Sequence, residues 1–129
     1  MKAPVILWIL LLLAGCQTAW PGSERLLRVE LYFGMNRPDG TRIPVQDWDA
    51  FLDTCITPRF PEELTVLEGQ GQWRGARGEL VQEPSRIVCI YHAPGRELTT
   101  ALDEIVTAYK QRFDQEAVLH SVSRAKIRF

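Results

Sequence analysis

Five side chains carry the chemistry this sequence could offer: Tyr32, Arg59, Gln72, Trp73 and Arg74. The last three are consecutive and close the run Gly-Gln-Gly-Gln-Trp-Arg at 69–74. An arginine can grip a carboxylate or phosphate through paired N–H bonds. A tryptophan supplies a face for a cation or a flat ring, and tyrosine and glutamine add donors and acceptors. These are the groups of a ligand-binding surface, and they make up the candidate binding set. The chain order puts Arg59 in the turn below the second strand and Trp73 and Arg74 beyond its top, so one pocket is not expected to hold them all. Two of them also have a plainer role: Arg59, between Pro58 and Pro61, can fix a turn by an ion pair, and Trp73 can pack across a hairpin. A catalytic set is not visible. There is no nucleophile elbow, no phosphate loop and no paired-carboxylate signature. The two histidines, His92 and His120, fall in no zinc-type spacing with Cys55 or Cys89. The expectation is therefore no catalytic residue, no metal and no cofactor, which points away from an enzyme.

Cys16 offers a different chemistry. Lys2 precedes an apolar run at 5–13, and Leu13-Ala14-Gly15-Cys16 follows at once. The run is too short to cross a bilayer comfortably, and one positive charge before a short apolar stretch is the pattern of a secretory signal. The small residues Ala14 and Gly15 before a cysteine look like a bacterial lipobox. In that reading Cys16 takes a diacylglyceryl thioether, gains a further acyl chain such as palmitate, and becomes the mature N-terminus. Two or three acyl chains anchor stably where one does not. An ordinary secretory signal that happens to end before a cysteine is the other reading. The chain then divides into a signal peptide at 1–15, a lipidated tether at 16–25 and one folded domain at 26–129. Loss of Lys2 with the leader takes the formal net charge from -1 to -2. No basic stripe of the kind a nucleic-acid reader needs is present.

The elements that must position these groups follow from periodicity. Residues 26–34 alternate, with Leu27, Val29, Leu31 and Phe33 on one side and Arg28, Glu30 and Tyr32 on the other, which predicts a strand with one buried face. Pro38-Asp39-Gly40 marks a loop. Val45, Trp48, Phe51, Leu52, Cys55 and Ile56 predict a helix over 44–56, with Pro44 at its start and Pro58 enforcing its end. Residues 64–68 form the next strand, with Gly69 and Gly71 suggesting a bulge before Trp73. A turn at 75–78 leads into a strand at 79–92, which Pro84 should interrupt. A second helix over 97–113 shows the stripe Leu98, Leu102, Ile105, Tyr109 and Phe113, with Thr100 and Asp103 as a capping pair. A last strand covers 117–129. The order βαββαβ predicts an α+β, ferredoxin-like fold: a four-stranded antiparallel sheet in order 4-1-3-2 with both helices on one face.

That plan leaves the other face of the sheet bare. Residues 87–91 are apolar in both phases, and Val118 and Val122 are read as extending the bare patch on the last strand. An uncovered patch of several hundred Å² is unusual on a monomer, so a homodimer burying it is expected. Cys55 and Cys89 both read as core-facing. A bridge between them would need Cα atoms within about 7 Å, and two buried free thiols are the preferred reading.

The segments Glu30-Leu31-Tyr32-Phe33-Gly34, Thr57-Pro58-Arg59-Phe60-Pro61, Leu64-Thr65-Val66-Leu67, 69–74 and Glu83-Pro84-Ser85 together resemble a family of small bacterial lipoproteins that carry a domain of unknown function. The resemblance implies a lipid anchor, and Gln17 after the lipidated cysteine implies the outer membrane facing the periplasm. It implies no chemistry. The expected role is a membrane-anchored periplasmic binding or interaction module, with its ligand or protein partner open and no nucleic acid. The alternative is a small enzyme of the dimeric α+β-barrel type, a similarity of topology alone. A deep pocket shared by Tyr32 and His92 would mark the enzyme, and a shallow surface the module.

Overall fold

The computed structural model describes residues 20–129. The predicted signal peptide, Cys16, Gln17 and the first part of the tether lie outside the described residues. The elements are β1 (Glu24–Gly34), α1 (Val45–Phe51), β2 (Thr65–Arg74), β3 (Leu80–His92), α2 (Arg96–Phe113) and β4 (Leu119–Ile127). The strands form one antiparallel sheet in the order β2-β3-β1-β4, the ferredoxin-like arrangement.

Alternation along β1 and β3 decides the core. Val29, Leu31 and Phe33 of β1 and Val88 and Ile90 of β3 are buried against the helices. The stripe Leu98, Leu102, Ile105, Tyr109 and Phe113 of α2 is buried as its spacing predicts. Burying side chains of this size stabilises by roughly 1.5–3 kcal/mol each. Trp48 and Phe51 bring α1 into the same core, where Phe33, Phe51 and Phe113 all meet Tyr109 with ring centroids 4.7, 5.1 and 4.8 Å away. Tilted and edge-on contacts of this kind add to plain burial.

Several expectations need correction, each for a local reason. The first helix is α-helical only through Phe51; Leu52–Ile56 is a π-helical turn, closed by Thr57 N–H to the Leu52 carbonyl at 2.9 Å. The wider turn still places Ile56 in the core. No side chain caps α2, so Thr100 and Asp103 form no capping pair; Gly95 stands at the N-cap position instead. The strand β2 runs unbulged through both glycines, with Gly69 opposite Ser85 and Gly71 opposite Glu83. Pro84 does not interrupt β3. Its carbonyl accepts from Met35 N–H at 2.9 Å, and in an antiparallel strand the nitrogen of a residue faces the same neighbour as its carbonyl. That neighbour, β1, ends at Gly34 opposite Ser85, so the missing N–H costs no ladder bond. Finally, β1 begins at Glu24, two residues before the predicted domain boundary, and Trp20 packs under the Arg128 guanidinium at 5.2 Å.

Candidate functional site: the open face of the sheet

Strand register places residues of one phase from all four strands on the face away from the helices. One row across it is Leu67, Ile87, Tyr32 and Leu119. The next is Thr65, Cys89, Glu30 and Ser121, and beyond it lie Tyr91, Arg28 and Ser123. Leu67 and Leu119 are 51% and 68% exposed, and Ile87, Cys89 and Tyr91 are half-buried. The face is thus an apolar row beside a polar line along β1. The sequence foresaw the apolar second phase of β3 but misassigned β4: Val118 is buried, and Val122 shares a cavity with Leu98 and Leu102 on the helix side. The open face of β4 carries Leu119, Ser121, Ser123 and Ala125 instead.

The polar line is linked. Arg28 Nη2 donates to Glu30 Oε1 at 2.5 Å, and the Tyr32 hydroxyl donates to Glu30 Oε2 at 3.2 Å. Hydrogen bonds to Cys89 and Glu30 hold the Arg28 guanidinium above its ordinary pKa. Burial, with the Glu30 charge next in weight, raises the Tyr32 phenol. One carboxylate therefore organises an arginine and a tyrosine in the middle of the sheet. This line was visible in the sequence only as the outward phase of the first strand. Of its members, Tyr32 alone was singled out.

Above the apolar row lies Glu83, 8% exposed, the one buried charged residue among those described. Its carboxylate accepts from Asn36 N–H at 2.9 Å, and burial raises its pKa against that bond.

The predicted binding residues do not converge. Arg59 sits on the helix side, donating to the Cys55 carbonyl at 2.6 Å and to Glu104 at 2.9 Å, so it ties the turn after α1 to α2. Gln72 accepts from Gln82 across the hairpin at 2.8 Å. Arg74 donates to the Gly78 carbonyl at 3.0 Å and closes the hairpin loop. Trp73 lies opposite Val81 on the open face, 45% exposed, four residue pairs beyond Gly69 and Ser85. Tyr32 and Trp73 thus share a face, while Arg59 and Gln72 lie on the other.

His92 does not join Tyr32. It projects in the helix-facing phase, edge-on to Phe60 at 5.8 Å. Its strand position, opposite Leu27, and that of His120, opposite Leu31, keep the two histidines apart. No group of three or more metal-ligating side chains occurs among the described residues. Cys55 and Cys89 are both free. Cys55 adjoins the core beside Arg59, whereas Cys89 projects from the open face, a correction to its expected core position.

The fold is similar to two solved structures of a phage SAM lyase. The one in complex with S-methyl-5'-thioadenosine has a TM-score of 0.62 and 16% identity, over 81% of this chain and 90% of that one. The apo form has a TM-score of 0.59 and 16% identity, over 86% and 94%. At that identity the likeness speaks for the fold. No curated protein matches the sequence. Residues 28–129 match the family model described as "Protein of unknown function (DUF3574)", and the chain belongs to that family.

Proposed function

We propose that this chain is a lipid-anchored protein of the bacterial envelope, held at the outer membrane through Cys16 and facing the periplasm, and that its domain is an interaction module working through the open sheet face. The observation that carries the module is the row Leu67, Ile87, Tyr32 and Leu119, which crosses all four strands with no helix over it among the described residues. The occupant we assign is a second copy of the chain. Arg28 and Glu30 lie next to each other on β1 in the same outward phase. A two-fold axis through the face would set Arg28 against Glu30 of the partner subunit and bring the two apolar rows together. Such an isologous contact is self-complementary in charge and in shape.

Light scattering on the intact protein in detergent micelles tests this. A dimer mass is expected, and Ile87→Lys, which puts a charge in the middle of the row, should yield monomers of unchanged secondary structure. A wild-type monomer at roughly tens of micromolar, a concentration at which a standard-size interface should hold, would remove the proposal.

A second reading is a small enzyme, supported by the likeness to the phage SAM lyase. Tyr32 and His92 on opposite faces speak against the pocket that reading requires. Thermal-shift titration with S-methyl-5'-thioadenosine separates the two. A saturable rise in Tm favours the enzyme, and no shift favours the module.

A further inference from the structure

A cavity of about 330 Å³ opens on the helix side of the sheet, between the β1–α1 loop and strands β2 and β3. It lies across the sheet from the open face, and nothing in the reading above uses it. Arg42 enters it from the loop and Arg86 from β3. Met35 and Ile43 give it an apolar floor, and Glu68 and Gln70 form its outer wall on β2. The sequence segments 69–74 and 83–85, notable for their composition, meet here through Gly69, Gln70, Pro84 and Ser85.

Both arginines are short of partners. The Arg86 side chain is 16% exposed, and its Nε is buried with no hydrogen-bond acceptor. A buried donor left unpaired is costly. Its ion-pair partner is Glu68, whose own side chain is 82% exposed on the edge strand. A carboxylate that solvated gains little from the pair and is easily replaced. The Arg42 side chain is exposed, and its guanidinium makes no hydrogen bond or ion pair to the described residues. Two guanidinium groups against one exposed carboxylate leave the cavity positive.

We propose that this cavity binds a small organic carboxylate. Arg86 and Arg42 would take the carboxylate in place of Glu68, with the forked geometry arginine favours. The apolar body of the ligand would lie on Met35 and Ile43. The volume limits it to a compact molecule.

The test uses the full chain in detergent micelles, with arginine side-chain and backbone resonances followed by NMR. Sodium butyrate, sodium phosphate and sodium chloride are titrated at matched ionic strength. Butyrate should move the Arg86 Nε–H and Gln70 signals saturably, and chloride should not. Arg42→Gln should weaken butyrate roughly tenfold or more, as loss of a charge-assisted bond implies. Glu68→Gln, which removes the competing carboxylate, should tighten it. Both positions are exposed, so these variants do not depend on the half-buried Arg86 tolerating change. Shifts that stay linear or are matched by chloride overturn the site. Unchanged affinity in Arg42→Gln, or weaker binding in Glu68→Gln, also overturns it. Saturation by phosphate alone overturns the ligand class.

Discussion

The Glu83 carboxylate occupies the space that a side chain at Gly34 would need. A Cβ built at Gly34 would stand 2.8 Å from Glu83 Cδ and closer still to one carboxylate oxygen. Gly34 is not in a left-handed conformation, so close approach, and not backbone freedom, is what requires glycine. The arrangement lets the Glu83 carboxylate come against Gly34 at the end of β1 and accept the Asn36 N–H. It links two segments 49 positions apart, Glu30-Leu31-Tyr32-Phe33-Gly34 and Glu83-Pro84-Ser85. Gly34→Ala should destabilise the domain by about 1–3 kcal/mol, the range for forcing one methyl into packed space. Adding Glu83→Ala should recover part of that loss, so that the double variant is less destabilised than the sum of the singles. Urea unfolding of the four proteins measures the coupling. Strict additivity would show that the two residues do not compete for the same space.

Glu83 also sets a pH dependence. Burial raises its folded-state pKa above the ordinary glutamate value of 4.5, with the Asn36 N–H bond opposing. The folded protein then holds the proton to higher pH than the unfolded chain, and linkage gives a negative slope of stability with pH. Glu83 favours folding most below its unfolded value. That contribution falls as pH rises from 4.5 through the raised folded value, and is constant above it. Stability of the wild type relative to Glu83→Gln should therefore decline over that window and then level. A wild-type advantage that grows with pH would reverse the assignment.

Tyr109 anchors the same corner from below. Its hydroxyl donates to the Gly34 carbonyl at 2.7 Å, and burial pushes its phenol well above the ordinary range. Tyr109→Phe keeps the ring contacts with Phe33, Phe51 and Phe113 and deletes only the hydroxyl. The expected cost is about 1–2 kcal/mol, the loss of one buried hydrogen bond with the Gly34 carbonyl left unpaired. Phe33→Ala should cost more, about 3–5 kcal/mol, because it empties the centre of the aromatic cluster. Denaturation midpoints for the two variants give the order directly.

The βαββαβ order was legible because each element carries a clean period: two for β1, and 3.6 for α2, whose five buried residues are the five the stripe names. Local signals misled where a tertiary partner overrode them. Pro84 reads as a strand breaker until β1 is seen to end beside it. Gly69 reads as a bulge until Ile87 Cδ1 and Ser85 Oγ are found 3.0 and 3.2 Å from where its Cβ would be. The candidate site was harder still. Arg59, Gln72 and Arg74 carry suggestive side chains, yet each is taken up by a neighbour within the fold: Glu104, Gln82 and the Gly78 carbonyl. Arg86 and Arg42 look ordinary in sequence. What sets them apart is that they line one cavity and that the Arg86 Nε is buried without an acceptor, and that is a property of three dimensions.

The two thiols should behave differently. Burial raises the Cys55 thiol, with the nearby Arg59 charge opposing, so Cys55 should react slowly with iodoacetamide in the folded protein. Both Cys55 and Cys89 should be labelled in denaturant without reductant, since both are free. Intact mass before and after reduction reads this out. Loss of two hydrogens, with labelling only after reduction, would mean a bridge and a rearranged sheet.

The lipid anchor remains the part of the proposal that rests on sequence alone. Lys2, the apolar run at 5–13 and Leu13-Ala14-Gly15-Cys16 follow the order of a secretory signal, and Cys16 is taken as the lipidated residue. Cys16 is the only group there whose thiol can form the diacylglyceryl thioether. Cys16→Ser removes the sulfur and keeps the size, so an uncleaved precursor should accumulate. In wild-type cells, globomycin, which blocks the lipoprotein signal peptidase, should instead trap a precursor that already carries the diacylglyceryl mass. The two precursors differ by that lipid, and mass spectrometry distinguishes them. Sucrose-gradient fractionation should then place the mature wild type with the outer membrane, following Gln17 in the second position. If Cys16→Ser is still cut between Gly15 and position 16, the segment is an ordinary secretory signal. The domain would then be released into the periplasm, and only the sheet-face interaction would survive from the proposed role.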